Sequence, residues 1–432
     1  MKTRRVVVLG GGFGGVYCAM HLERRLKRQS DVEITLISRD NFFLFTPMLH
    51  EVAASDLDIT HIVSPLRTLL KRATVLVGDV QAIDVERRRV SMSHGFSRRP
   101  HEVEFDHLVI ALGSTTNFHG VKSLEQHALT MKTLADAIHL RNRVIGMLEE
   151  AESEGPSSGG GLLTFVVAGG GFAGVETIAA LNDFVREALG FYRRLSAKQV
   201  RLVLVHAGAE ILPELGPELG AYARRKLTGR GVEILLNASV AGVDADSVTL
   251  RDGRRISSRV LVWTAGASPH QLLQSLPCPL EHGRIQVHET LAVPGWPGVW
   301  AVGDCAVVPD RRTGTAHPPT AQHALREART AARNIAAVLD GLPTEAFDFR
   351  TIGQLAAIGR RTGVARVLGW NFSGFVAWWL WRTIYLTKLP RLDRKIRVAI
   401  DWTLDLVFAK DFVQFLAERG DTMSTEAIEQ AD

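Results

Sequence analysis

The sequence predicts an α/β protein in which parallel strands alternate with helices. A short β-branched run, Val6 to Leu9, precedes a glycine-rich turn and then a stripe of apolar residues at helical spacing from Val16 to Leu26. The same order recurs where the strand Leu163 to Val167 leads through glycines into a helix from Val175 to Leu189. Continuous apolar strands of this kind are typical of parallel sheets that are covered on both faces.

The first glycine-rich turn has the spacing G-x-G-x-x-G, with Gly10, Gly12 and Gly15 at the fixed positions. Between a strand and a helix, this spacing permits a tight turn, close approach of the backbone to a pyrophosphate, and close packing of helix on strand. The helix N-terminus adds unpaired N–H groups and a partial positive charge. We interpret the turn, with Phe13 and Gly14, as a dinucleotide-binding loop; the alternative is a glycine-rich turn without a ligand.

The second turn repeats this spacing with Gly169, Gly171 and Gly174, and it has Phe172 where the first has Phe13. Two such turns, each between a strand and a helix, are stronger evidence than one. They predict two Rossmann-like domains that each hold one dinucleotide.

The residues after the second strand of each domain say less about which dinucleotide is bound. Val32 to Ile37 is followed by Ser38, Arg39 and Asp40, where a carboxylate that binds the ribose hydroxyls is expected, and either Ser38 or Asp40 could make this contact. In the second domain, Val200 to Val205 ends at His206. An acid there would favour NADH and an arginine NADPH, so His206 leaves the choice of nicotinamide dinucleotide open.

Three further strand ends are candidates for ligand contact. Leu108 to Leu112, which contains Ala111, is followed by Gly113, and a later strand leads to Gly266. Asp304 follows the strand Val299 to Val302. A carboxylate there suits hydrogen bonding to a polyol chain, and the alternative is a helix N-cap.

Composition and charge exclude several classes of protein. The chain has 432 residues, a net charge of +5 and three cysteines without a C-x-x-C pair. We therefore expect no zinc or other metal site, no dithiol chemistry and no nucleic-acid partner. The N-terminus shows no signal peptide, and no apolar run is long enough for a transmembrane helix.

The C-terminal region combines tryptophan with basic residues. Phe372 to Leu386 and Ile396 to Leu416 are predicted helices, and Arg382, Lys388 and Arg391 are among the basic residues in and between them. Five of the eight tryptophans lie here: Trp370, Trp378, Trp379, Trp381 and Trp402. Tryptophan favours the membrane interface and basic residues favour anionic lipids. The region predicts an amphipathic membrane anchor; a dimer interface or core closure remains an alternative.

In this order, the two glycine turns, Gly303-Asp304, Ala321-Gln322, Gly353–Gly359 and the tryptophan-rich tail resemble the type II, non-proton-pumping NADH:quinone oxidoreductases. The resemblance implies two Rossmann-like domains in a glutathione-reductase-like arrangement. The predicted segments are an FAD-binding domain in two parts, 1–120 and 286–342, a nicotinamide dinucleotide domain, 121–285, and a membrane-association and dimerisation region, 343–432.

The resemblance also implies roles for particular residues. Those near FAD are Gly10, Gly12 and Gly15 at the pyrophosphate, Thr46, Pro47 and Gly113 near the flavin, Val80 near the adenine, and Asp304 on the ribityl chain. Ala321 and Gln322 lie where the isoalloxazine meets the quinone, and Glu176 lies between nicotinamide and flavin. For Glu176, favourable interaction with the helix dipole is the alternative; for Gln322, it is capping of a helix.

The predicted activity is hydride transfer from NADH to FAD, followed by two-electron reduction of ubiquinone or menaquinone. The predicted location is peripheral, on the cytoplasmic face of the plasma membrane, as a homodimer. The alternatives are a reductase of a soluble electron acceptor and a redox-sensing flavoprotein.

Overall fold

The computed structural model describes residues 3–155, 161–405 and 407–415. Its first part comprises β1 (Arg4–Leu9), α1 (Phe13–Arg25), β2 (Val32–Ser38), β3 (Phe42–Leu44), α2 (Leu49–Ala53), β4 (Val63–Pro65), α3 (Leu66–Leu69), β5 (Thr74–Asp84), β6 (Arg89–His94), β7 (Arg99–Glu104), β8 (His107–Ile110) and β9 (Ser114–Thr116). The second part comprises α4 (Lys122–His127), α5 (Leu134–Glu154), β10 (Thr164–Ala168), α6 (Phe172–Ala188), β11 (Arg201–Val205), α7 (Pro217–Gly229), β12 (Val232–Leu235), β13 (Val240–Val243), β14 (Ser247–Leu250), β15 (Arg255–Ser257) and β16 (Val260–Trp263).

The chain then returns to the first domain and continues into a separate C-terminal region. The returning part comprises β17 (Ala267–Pro269), β18 (Leu280–Glu281), β19 (Arg284–Gln286), β20 (Val299–Ala301), β21 (Ala306–Val307) and α8 (Ala321–Leu339). The C-terminal region comprises β22 (Gly353–Ala357), β23 (Gly363–Val367), β24 (Trp370–Ser373), α9 (Gly374–Lys388) and α10 (Leu392–Leu404).

The first domain is built on a sheet of order β20-β8-β1-β2-β5-β6-β7. Strand β1 lies at its centre, with Val6 paired in parallel to Ile34 of β2 and His107 of β8. Val6 to Leu9 are fully buried, as the β-branched run predicts. Helix α8 covers α1, so the N-terminal and returning parts of the chain form one domain.

The second domain repeats this plan with the parallel order β12-β11-β10-β16. Apolar side chains on one face of this sheet, including Val166 and Val203, pack with Val248 and Ile256 of the antiparallel sheet β13-β14-β15. Together the two domains confirm the predicted α/β fold.

The connections between the domains touch each other. β9 leaves the first domain, β17 returns to it, and the two pair antiparallel, with Ser114 opposite Pro269. Gly266 lies beside this pair, where its carbonyl accepts the N–H of Asn117.

In the C-terminal region, the antiparallel sheet β22-β23-β24 packs on α6 and α7 of the second domain, and α9 reaches the first domain through Tyr385 and Phe45. Helix α9 agrees with the predicted helix, whereas the second predicted helix, to Leu416, is wrong in length because α10 ends at Leu404. Leu416 itself lies outside the described residues. Within the described ranges, no helix combines the length and apolar character needed to cross a bilayer.

Candidate functional site

A cleft of about 760 Å³ opens where the first domain, the second domain and the C-terminal region meet. Gly12 from the first glycine turn and Phe172 from the second both line it, as do Gln354 of β22 and Tyr385 of α9. The carboxyl ends of β1, β8 and β20 point towards it, which is the usual ligand position in open parallel sheets.

The first glycine turn is tightly packed on the side that faces the sheet and open on its outer side. A Cβ on Gly10, where φ is +108°, would lie 2.2 Å from the Ala111 carbonyl oxygen, and one on Gly15 would lie 1.9 Å from the Gly10 oxygen. By contrast, a Cβ on Gly12 would meet nothing within 4 Å. The turn is therefore packed tightly onto the sheet, while its outer side is open to a phosphate-bearing ligand.

Asp304 belongs to a short polar chain on the cleft wall. Its Oδ2 accepts the Ser114 hydroxyl at 2.9 Å, and the Ser114 Oγ accepts Lys132 Nζ at 3.0 Å. Burial raises the pKa of Asp304, whereas the Ser114 hydrogen bond and the Lys132 charge oppose that rise. Asp304 lies in the 3₁₀ turn Gly303–Cys305, 17 residues before α8 begins, so it does not cap that helix.

Glu176 lies on α6 with its carboxylate buried at the bottom of the cleft. Its Oε1 accepts two bonds of 3.0 Å, from the Ala357 N–H and from the Trp381 indole N–H. Its Oε2 lies 3.8 Å from His50 Nδ1. Burial raises the pKa of Glu176 to about 8, although both hydrogen bonds lower it. Glu176 lies beyond the first turn of α6, so interaction with the helix dipole is a minor influence.

Gln322 and α9 form a further part of the cleft wall. Gln322 Nε2 donates to the Gly353 carbonyl at 3.2 Å, which ties the start of α8 to β22. Tyr385 packs edge-on against Phe45, and Lys388 also lines the cleft. Burial lowers the pKa of Lys388, and the charge of Arg326 lowers it further.

The second glycine turn has the same geometry as the first. A Cβ on Gly174 would lie 1.8 Å from the Gly169 carbonyl oxygen, matching the pair Gly15 and Gly10. His206 Nδ1 accepts the Gly170 N–H at 3.1 Å, so this histidine supports the loop from below.

The structure brings thirteen of the sequence-predicted site residues to the cleft wall. They are Gly12, Phe13, Gly14, Arg39, Thr46, Pro47, Ala111, Gly113, Phe172, Glu176, Asp304, Ala321 and Gln322. Ser38 is buried under the first glycine turn, where a Cβ on Gly11 would approach its Oγ at 2.1 Å. Val80 pairs with Met92 at the junction of β5 and β6, apart from the cleft lining.

Lys132 and His50 also line the cleft, although sequence reasoning did not single them out. Lys132 belongs to no motif, and only the fold brings it to Asp304. Tyr385 also lines the cleft. The sequence analysis did not predict this, because it interpreted Phe372 to Leu386 as a membrane anchor. Arg382, grouped in the sequence analysis with the basic residues that favour anionic lipids, instead turns inwards: its guanidinium lies between Trp378 and Trp402, 4.2 and 4.7 Å from their ring centres.

The outer surface of α9 and α10 is apolar. Exposed large side chains include Phe375, Trp379, Ile396 and Ile400, and Trp370 of β24 is 74% exposed. Trp381 and Trp402 instead point inwards and are buried. The three cysteines are free and buried.

Comparison with known proteins finds families, relatives and a solved structure to which this chain is similar. The pyridine nucleotide-disulphide oxidoreductase family matches residues 4–328, and the NDH2 C-terminal domain matches residues 352–411. The type II NADH:quinone oxidoreductase Ndh of Mycobacterium tuberculosis is 34% identical over 420 residues, which cover 93% of this chain and 88% of that protein. A probable NADH dehydrogenase of Dictyostelium discoideum is 32% identical over 424 residues, covering 96% and 92%. The solved structure of NDH2 from Plasmodium falciparum in complex with NADH matches with a TM-score of 0.87 at 19% identity, covering 95% of this chain and 100% of that chain.

Proposed function

This chain belongs to the family of type II NADH:quinone oxidoreductases, and from that premise we propose that it oxidises NADH and reduces a membrane quinone without pumping protons. A flavin held in this cleft would supply the redox chemistry, which is acceptance of a hydride from NADH and transfer of two electrons to the quinone. The observation that carries the proposal is the single cleft that joins the first glycine turn, the second glycine turn and the α9 end.

The residues present fit FAD as the flavin. The open outer side of Gly12 suits the pyrophosphate, and the Lys132–Ser114–Asp304 chain presents donors and an acceptor to the ribityl hydroxyls. Thr46, Pro47 and Gly113 wall the space between these two regions. A cleft of about 760 Å³ is also within the usual range for cofactor sites.

In this proposal, two further regions of the cleft bind the electron donor, NADH, and the electron acceptor, the quinone. NADH occupies the second glycine turn, with Phe172 and Glu176 directed towards the nicotinamide. The quinone enters between Gln322, Tyr385 and Lys388. Glu176 Oε2 holds the proton that the reduced quinone takes up, because its raised pKa keeps this carboxyl protonated at neutral pH.

The membrane side of the proposal rests on α9 and α10. Their exposed side chains form an apolar surface that suits the interfacial layer of a bilayer. Exposed Arg397, with Arg391 and Lys395 nearby, suits anionic headgroups. We place the enzyme at the cytoplasmic face of the plasma membrane as a peripheral homodimer, with ubiquinone or menaquinone as acceptor.

The purified protein tests the proposal directly. It should be yellow, and its flavin absorbance should bleach on addition of NADH and recover on addition of quinone in lipid vesicles. NADPH is compared alongside, since His206 leaves that preference open. A colourless protein that binds no flavin would contradict the whole proposal.

The same experiment separates the two alternatives. Rapid reoxidation by a soluble acceptor protein, with slow reoxidation by every quinone, would indicate a reductase of that acceptor. A long-lived reduced state with all acceptors would indicate a redox sensor.

A further inference from the structure

The carboxylate expected at the end of β11 is absent, and the structure shows that His206 does not take over its role. The imidazole packs under the second glycine turn, where a Cβ on Gly170 would lie 2.5 Å from His206 Cγ. Its Nδ1 accepts the Gly170 N–H, so this nitrogen carries no proton and the ring is a neutral imidazole. His206 therefore supplies neither a carboxylate for ribose hydroxyls nor a positive charge for a 2′-phosphate.

A different acid, Glu214, approaches the same glycine turn. Gly171 has the position in the second turn that Gly12 has in the first, where the space next to the glycine is open to a ligand. A Cβ on Gly12 would meet nothing within 4 Å, whereas one on Gly171 would lie 4.0 Å from Glu214 Oε1. A ligand hydroxyl that rests on Gly171 can therefore lie within hydrogen-bond distance of this carboxylate.

Backbone contacts hold the segment that carries Glu214 against the turn. The Leu212 N–H donates to the Gly170 carbonyl at 2.8 Å, and the Leu215 N–H donates to the Leu212 carbonyl at 2.9 Å. Leu212 has a φ of +51°, a left-handed conformation that is uncommon for a residue with a side chain. The side chains of Leu212 and Leu215 are fully buried. The segment is thus fixed to the glycine turn itself.

The carboxylate of Glu214 is available to a ligand, unlike those of its neighbours. Glu210 is paired with Arg224, with 3.0 Å between Oε1 and Nε. Glu218 Oε2 accepts the side-chain amide of Asn371 at 2.7 Å. Glu214 is exposed, and its carboxylate has neither a hydrogen bond nor an ion pair with the residues that the structure describes.

The charge of this connection favours one of the two nicotinamide dinucleotides. Residues 206–216 contain two acids and no lysine or arginine. NADPH differs from NADH by a phosphate on the 2′-oxygen of the adenosine ribose, and an arginine usually accommodates that phosphate. A carboxylate at this position accepts a hydrogen bond from the 2′-hydroxyl of NADH and repels the 2′-phosphate of NADPH.

The position of Glu214 suits the adenosine end of the dinucleotide. Phe172 and Ala173, at the start of α6, line the main cleft, and so does Glu176 one turn further along the helix. Gly171 and Glu214 are outside this lining. A dinucleotide with its nicotinamide in the cleft and its pyrophosphate at the start of α6 would therefore have its adenosine ribose beside Gly171 and Glu214.

We propose that the Glu214 carboxylate accepts a hydrogen bond from the 2′-hydroxyl of the adenosine ribose and thereby selects NADH against NADPH. The assignment rests on the proposed function, in which NADH occupies the second glycine turn. Rossmann-like domains usually carry the ribose-binding acid at the end of the second strand. In this chain the acid comes instead from the segment between β11 and α7.

Equilibrium binding of NAD⁺ and NADP⁺ tests the assignment, because neither of these oxidised dinucleotides reduces a flavin. The parent protein should bind NAD⁺ at least about tenfold more tightly than NADP⁺, the usual size of a hydrogen bond to a charged group. Glu214→Gln should reduce this preference by at least about fivefold, because it removes the charge. Glu214→Arg should reverse the preference. Isothermal titration calorimetry measures the dissociation constants.

An analogue without the hydroxyl, 2′-deoxy-NAD⁺, gives an independent measurement. It should bind the parent protein about tenfold more weakly than NAD⁺ does. Glu214→Ala removes the acceptor, so this variant should bind the analogue and NAD⁺ with equal affinity. A loss of affinity for the analogue that is as large in Glu214→Ala as in the parent protein would assign the hydroxyl to another partner.

The matched control is Glu218→Gln, which removes the same charge four residues away and keeps an acceptor for Asn371. It should retain the parent preference for NAD⁺. A parent protein without this preference, or an equal loss of it in Glu214→Gln and Glu218→Gln, would overturn the assignment. A parent protein that prefers NAD⁺ as expected but reduces no quinone would instead refute the proposed function and leave the assignment of Glu214 intact.

Discussion

At the scale of single residues, Gly10 and Gly12 lie two positions apart but are glycine for different reasons. Gly10 is required by the fold, because its positive φ and the Ala111 carbonyl leave no space for a side chain. Gly12 has an ordinary φ of −86° and open space around it. The described structure leaves space for a side chain there, and in the proposed function this space is taken by the cofactor pyrophosphate.

The variant Gly12→Ala should therefore fold normally but bind flavin at least about tenfold more weakly, because the methyl group occupies space meant for the pyrophosphate. Flavin affinity is measured by titrating the apoprotein, and folding by its thermal midpoint. Gly190→Ala is the control, since a Cβ at Gly190 also meets nothing within 4 Å. Equal flavin affinity in both variants would place the pyrophosphate elsewhere.

Sequence reasoning finds residues that belong to local patterns and misses those whose partners are distant. Both glycine turns and Asp304 follow strands, so spacing alone locates them. The environment of Glu176 depends on Ala357 and Trp381, which are 181 and 205 residues away along the chain. Its burial and raised pKa are consequences of tertiary packing, which no local motif records.

At the scale of elements, α9 and α10 each have two functions. Their inner sides deliver Trp381 and Trp402 to the carboxylates of Glu176 and Glu51. Their outer sides carry the exposed apolar residues. Core closure thus describes the inner sides of these helices, while a membrane anchor and a dimer interface stay predictions for their outer sides.

Charged substitutions on the outer side of α10 test the anchor without disturbing its inner side. The double variant Ile396→Glu with Ile400→Glu should lose most of its binding to anionic vesicles, because it removes apolar area and adds repulsion. Co-sedimentation with vesicles measures the effect. Reduction of the flavin by NADH in solution should be unchanged.

The control for this surface is Phe96→Glu, which makes a similar change at the fully exposed tip of the β6–β7 hairpin. It should co-sediment as the parent protein does. Retained vesicle binding by the α10 variant would contradict the anchor and favour a protein partner for this surface.

The end of α10 shows why the predicted helix was too long. Apolar spacing continues to Phe408, which predicted a helix, but Asp405 and Lys410 turn inwards to charged partners. The described chain beyond Leu404 thus makes contacts with other elements in place of further helical turns. Periodicity cannot detect this, since the partners Arg382 and Asp56 lie in other elements.

At the scale of the whole molecule, buried carboxyls make stability depend on pH. Glu51 and Glu176 have folded-state pKa values of about 8, against an ordinary value of 4.5. Between these values the folded state binds more protons than the unfolded state, so stability falls as pH rises towards 8. Below about pH 6.5 the buried histidines, such as His50, act in the opposite direction, because they must become charged on unfolding.

The window from pH 7 to pH 8 therefore isolates the carboxyls. The free energy of unfolding should fall there by up to about 1.4 kcal/mol per pH unit for each carboxyl. The double variant Glu51→Gln with Glu176→Gln should show a clearly smaller fall in thermal midpoint over the same window, and the fall that remains is due to Glu327, whose pKa burial raises to about 7. Glu86→Gln with Glu125→Gln, at two exposed positions, should retain the parent slope, and an equal slope in all three proteins would contradict the burial of these acids.

The indole of Trp381 on the Glu176 carboxylate also has a consequence for the order of assembly during synthesis. The ribosome completes both nucleotide domains before it makes α9, so until then Glu176 and Glu51 face water without their indole donors. The last helices enclose these acids and form the apolar outer face in the same event. The enclosure of these acids and the apolar outer face, which the proposed function assigns to the membrane, therefore form together in a newly made chain.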